Sequence, residues 1–178
     1  GQTTGEITCA DMTSLVELSY TAGRDDTTAT YPAITDLSGL EHATSLKRLY
    51  FFNNSITDAT PLQGLTTLEE LNLGSDDFAP FLNKVTDLTP LRNLINLRFL
   101  DLSYSFKIRD ISALARLTKL ERLYFRENQI SDLTPLQGLV RLKEVDLENN
   151  RVDDIQPLVN NPGLSQGDYV DLSGNNLD

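Results

Sequence analysis

The chain has 178 residues, of which 39% are hydrophobic and 23% charged, and its formal net charge is −11. That length suits one domain with a continuous core, and no run approaches the roughly 20 apolar residues that a membrane helix needs. The acid excess, with no Lys/Arg stripe against it, disfavours nucleic acid and anionic membranes as partners, and a single cysteine, Cys9, excludes an internal disulfide and a cysteine-rich zinc site.

The predicted elements begin with ITCADMTSL at 7–15, where Thr8 is placed to cap a short helical lead-in within residues 1–14. From residue 15 to the end the chain repeats itself. LVELSYTAGRDDTTATYPAITDLSGLEHATS (15–45) has a long middle, and LKRLYFFNNSITDATPLQGLTT (46–67) is a unit of 22 residues. LEELNLGSDDFAPFLNKVTDLTPLRNLIN (68–96) is long again and LRFLDLSYSFKIRDISALARLTK (97–119) nearly regular. LERLYFRENQISDLTPLQGLVR (120–141) and LKEVDLENNRVDDIQPLVNNPG (142–163) each read as 22 residues, and VDLSGNNLD (170–178) opens a copy that is cut off. No basic-plus-apolar leader opens the chain and no polar cap closes it. The expectation is a piece of a longer protein, or a last strand covered from outside.

A chain repeats in this way when one small unit cannot bury its own apolar face without neighbours. Leu49, Leu71, Leu100, Leu123, Val145 and Val170 alternate with Phe51, Leu73, Leu102, Phe125, Leu147 and Leu172, the period of a strand with both sets inward. Ile56, Val85, Ile108, Ile130 and Val152 supply the next core layer, and Leu62, Leu91, Leu114, Leu136 and Leu158 close the coil. Asn54, Asn128, Asn150 and Asn175 follow the second strand position by three residues, where an amide can both donate and accept as the backbone turns. Pro61, Pro90, Pro135 and Pro157 exclude sheet from the far side of each coil. Asp58, Asp87, Asp110, Asp132 and Asp154 read as turn or cap acceptors rather than as a metal column.

This pattern resembles the leucine-rich repeat, L-x-x-L-x-L-x-x-N-x-L, in the internalin-like bacterial form whose units continue N-x-I-x-D-L-x-P-L-x-x-L; the match runs from 15 to 178. The resemblance implies an α/β solenoid, a horseshoe with a parallel β-sheet on the concave face and loops or short 3₁₀ turns on the convex one. It also implies a protein-binding role.

Strand side chains that do not face the core face the concave surface. Tyr50, Phe52, Phe99, Tyr104 and Tyr124 therefore share one exposed face with Arg48, Arg122 and Arg126, and Tyr and Arg are frequent anchors of protein interfaces. Packing of the rings on one another across strands is the alternative reading. The last strands carry Glu144, Asp146, Glu148 and Asp171, an acidic half suited to a basic partner or to solubility. GRDDTTATYPA and GSDDFAPFLNK are insertions between strand and Ile/Val layer. They put Tyr31, Phe78 and Phe81 on one edge of the solenoid, where insertions often bind. Their Asp25–Asp26 and Asp76–Asp77 pairs lack the ligand series of an EF-hand, which leaves only pooled carboxylates from two loops as a calcium reading.

His42 is the one histidine, on a convex loop, and no nucleophile elbow, phosphate loop or zinc motif accompanies it. The reading is a non-enzymatic, cofactor-free and monomeric module that recognises a protein, with carbohydrate as the other ligand class. Its place is the bacterial cell surface or outside, with the cytoplasm as the alternative. A structural spacer or an intracellular scaffold within a larger protein is the competing function.

Overall fold

The computed structural model describes residues 9–24 and 30–177. A helix, α1 (Cys9–Ser14), precedes seven strands that pair in parallel and in chain order: β1 (Glu17–Ser19), β4 (Arg48–Tyr50), β5 (Glu70–Asn72), β6 (Phe99–Asp101), β7 (Arg122–Tyr124), β8 (Glu144–Asp146) and β9 (Tyr169–Asp171). The sheet is open, and each unit adds one strand to it. Thr8 lies outside the described residues. The first insertion is more than a loop: β2 (Gly23–Arg24) and β3 (Thr30–Tyr31) pair antiparallel within it.

The two inward sets behave as the period requires. Leu49, Leu71, Leu100, Leu123 and Val145 are fully buried, as are Ile56, Val85, Ile108, Ile130 and Val152. β9 has a neighbour on one side only, so Val170 is partly exposed there. On the far side, 3₁₀ turns at Leu40–His42, Thr60–Leu62, Thr89–Leu91, Ser112–Arg116 and Thr134–Leu136 and one turn of α-helix, α2 (Gln156–Val159), close the coils. Proline stands in the first turn of four of these six, where its missing N–H is no loss. The sixth unit is longer than its reading as 22 residues: Glu144 and Tyr169, in register, lie 25 positions apart. The extra residues fall after α2, where NNPG makes a second turn.

Asn54, Asn128, Asn150 and Asn175 form the expected ladder, and Asn83 belongs to it. Each Oδ1 accepts an amide of the preceding unit: Ile34, Ile56, Ile108, Ile130 and Val152 donate to Asn54, Asn83, Asn128, Asn150 and Asn175 at 2.8 to 3.2 Å. Each Nδ2 donates to carbonyls of its own and the preceding unit. The residue before the amide takes a left-handed backbone in Asn53, Glu127 and Asn149, with φ of 54°, 57° and 55°. One rung is missing. The fourth unit has Ser105 at this place, its hydroxyl buried without a hydrogen-bond partner, and Phe106 (φ 62°) as one extra residue before Ile108.

The repeat aspartates are turn acceptors. Asp36, Asp58, Asp87, Asp110, Asp132 and Asp154 each take the amide two residues on, at 2.8 Å. Hydrogen bonds from that residue hold the first five below the ordinary carboxylate value of 3.8. A pKa depressed by folding gives stability that is present above the unfolded value and lost as the pH falls through the folded one. Thermal scans should therefore show a flat Tm above roughly pH 5 and a fall below roughly pH 4. A Tm held constant down to roughly pH 2 would remove these turns from the account.

Candidate binding surface

The parallel register sets the concave side chains in rows across the sheet, adjacent strands being about 4.8 Å apart. Glu17, Arg48, Glu70, Phe99, Arg122, Glu144 and Tyr169 make one row, and Ser19, Tyr50, Asn72, Asp101, Tyr124, Asp146 and Asp171 the next. Arg48 pairs with Glu17 at 2.6 Å, and Arg126 with Glu148 at 2.6 Å. The Tyr50 hydroxyl donates to Glu70, and Glu144 is the main acidic neighbour of the Tyr124 hydroxyl. Burial first, and then these carboxylates, push both phenols up to about 12, so both remain donors at neutral pH.

The sheet brings most of the expected residues together but covers two of them. Phe99 is only 8% exposed. The Arg122 guanidinium sits 4.8 Å from its ring centroid, and Tyr124 meets it edge-on at 5.5 Å. Tyr104 is also 8% exposed, with its hydroxyl on Asp77 at 3.2 Å and its ring edge-on to Phe106 at 5.9 Å. The two therefore support their neighbours rather than standing free: Phe99 packs across strands on Tyr124, and Tyr104 packs within its own unit on Phe106. Arg48, Tyr50, Phe52, Tyr124 and Arg126 are half-buried and Arg122 is exposed.

The third-unit insertion is tied down at its root. The Asp76 amide donates to Asn53 Oδ1 at 3.1 Å, Asn53 Nδ2 returns a bond to Asp76 at 3.3 Å, and Asp76 Oδ1 accepts the Phe78 amide at 3.0 Å. Phe81 is half-buried, whereas Phe78 is 95% exposed at the tip. The hydrogen bonds of Asp76 and Asp77 give this acidic pair a structural role. Asp25–Asp26 and the side chain of Tyr31 lie outside the described residues. Phe106, 38% exposed on the same edge, went unnoticed in the sequence because it is the extra residue of its unit.

Local backbone needs shape the middle row. Asn72, Asp101, Asp146 and Asp171 each accept the amide two residues on, of Gly74, Ser103, Glu148 and Ser173. Asp101 is buried, and loss of solvent is the main cause that raises its pKa above the ordinary 3.8. Its carboxylate lies over Gly74, where a Cβ would come within 2.5 Å of it. Carboxylate oxygens of Asp146, Glu148 and Asp171 lie within 4.8 Å of one another. Each is already engaged, by the Glu148 amide, by Arg126, and by Ser173 with Tyr169. His42 is exposed beside Glu41. Among the described residues no helix is long and apolar enough to cross a membrane.

Comparison with known proteins agrees with this geometry. A family model for leucine-rich repeats matches residues 44–83 and 118–160. The crystal structure of internalin InlF from Listeria monocytogenes is 31% identical, with a TM-score of 0.81 over 96% of this chain. This chain spans 45% of the length of that structure. Internalin C2 from the same organism is 27% identical over 92% of this chain and 83% of its own, with a TM-score of 0.52. A plant peptide hormone receptor, RGFR1 in complex with RGF2, shares the fold at 23% identity and a TM-score of 0.63, over 78% of this chain and 22% of the receptor. No curated protein matches the chain by sequence.

Proposed function

We propose that this internalin-like array of leucine-rich repeats is a non-catalytic module that grips a protein partner through its concave sheet, aided by the third-unit loop. The observation that carries the reading is the half-buried set Arg48, Tyr50, Phe52, Tyr124 and Arg126, with exposed Arg122, of which Arg48, Tyr50, Arg122 and Tyr124 are set by one parallel register. Tyr and Arg held in place lose little entropy on binding, which is what makes them effective anchors. Phe78 adds an apolar side chain at the loop edge. The complex of the plant receptor with RGF2 gives a precedent on this fold for a protein ligand. The likeness to internalins supports a place at the bacterial surface or outside the cell.

Capture from surface and cytosolic extracts tests this. A Phe52→Ala/Arg122→Ala/Tyr124→Ala variant should keep its fold, with a Tm within a few degrees of wild type, and lose the protein that wild type retains. Retention by both forms would move the contact to the Phe78 edge. No retained protein in either extract would favour the spacer, and binding to immobilised glycans alone would favour carbohydrate.

A further inference from the structure

The concave face carries one motif twice. In β4 and β5 an arginine and a tyrosine two residues apart, Arg48 and Tyr50, stand beside Glu70, and the tyrosine hydroxyl donates to that glutamate. In β7 and β8 the same register recurs with Arg122 opposite Glu144 and Tyr124 two residues on, Glu144 being the main acidic neighbour of the Tyr124 hydroxyl. In each copy the arginine is already occupied by the strand before it, Arg48 by Glu17 and Arg122 by the Phe99 ring. The glutamate is left with a neutral partner, and among the described residues neither Glu70 nor Glu144 forms an ion pair. Each copy thus presents a half-buried carboxylate next to a tyrosine ring, a pairing that suits a guanidinium or ammonium through charge and ring contact together.

The two copies are three strand steps apart, about 14 Å. An extended peptide rises about 3.3 Å per residue with side chains alternating sides, so residues i and i+4 stand about 13 Å apart on one face. We propose that the concave sheet is a two-point receptor for an extended, basic segment of a partner protein that crosses the strands and places Arg or Lys at i and i+4 on Glu70/Tyr50 and Glu144/Tyr124. This rests on the concave face being the binding surface. Asp146 beside Glu144, in place of Asn72 beside Glu70, makes the second point the more acidic.

The probes are two Gly/Ser nonapeptides of equal charge, one with arginines four residues apart and one with arginines two apart, titrated at low ionic strength. Simultaneous engagement should make the four-apart peptide at least about tenfold tighter. Glu70→Gln and Glu144→Gln keep an acceptor oxygen beside the tyrosine but remove the charge, and either should reduce that peptide to the affinity of the other. Equal affinities, or a spacing preference that survives both substitutions, overturns the proposal, as does absence of binding. If the peptides fail while the Phe52/Arg122/Tyr124 variant still loses its captured protein, the concave face remains the binding surface and only the two-point basic chemistry falls.

Discussion

Replacing Asn128 by alanine is expected to lower the free energy of unfolding by about 3 kcal/mol, read as a shift in the urea midpoint at unchanged slope. The side chain is 6% exposed and satisfies four backbone groups, accepting from the Ile108 amide and donating to the carbonyls of Leu102, Phe125 and Arg126. Alanine removes the partner from groups that water does not reach, and a buried group without a partner costs about 1–3 kcal/mol. The missing rung at Ser105 shows that one ladder amide can be dispensed with where the local backbone has changed, since an extra residue there re-routes the chain to Ile108. Asn128 has no such re-routing: Gln129 alone separates it from Ile130, whereas Phe106 and Lys107 separate Ser105 from Ile108. An unchanged midpoint would mean that the ladder follows the coil rather than fixing it.

How much of this was legible in the sequence depended on whether the cause was local or came from a neighbouring strand. Leu71 and Leu73 announce a strand by their spacing, and Asp87 announces a turn because its acceptor role needs only Thr89, two residues on. Asn83 was hidden by counting forward from Leu73 through an insertion. Counting back from Val85 would have found it, since Asn54, Asn128 and Asn150 all stand two residues before Ile or Val. Phe99 and Tyr104 could not be placed in this way. Their exposure depends on what the next strand and the preceding unit's loop lay over them, Arg122 in one case and Asp77 in the other, and no period within their own unit encodes that. The same limit hid the duplicated Arg–Tyr–Glu motif, which exists only across two strands: RLYF occurs at both 48–51 and 122–125, but its glutamate belongs to the following unit.

Gly163→Ala should be the most damaging of the glycine substitutions, costing about 3 kcal/mol or more by overpacking. Its Cβ would fall 2.1 Å from the Val140 carbonyl oxygen and 2.6 Å from the Val140 Cα, so backbone rather than a side-chain tip would have to move. Asn161 prevents an easy retreat, because its amide fastens the same turn to the Leu136 and Leu139 carbonyls and its Oδ1 accepts the Gly163 amide. Gly64→Ala and Gly138→Ala are the controls: a Cβ at either meets nothing within 4 Å and neither has a left-handed backbone, so both should be neutral or slightly stabilising. In a solenoid each unit touches only its neighbours, so the damage should stay local. Amide exchange should quicken in β8 and β9 while β4 to β6 keep their protection; uniform loss of protection would show that the array unfolds as one piece instead. With β8 loosened, Glu144 and Tyr124 lose their shared geometry before Glu70 and Tyr50 do. The same variant should therefore bind the four-apart arginine peptide no better than the two-apart one.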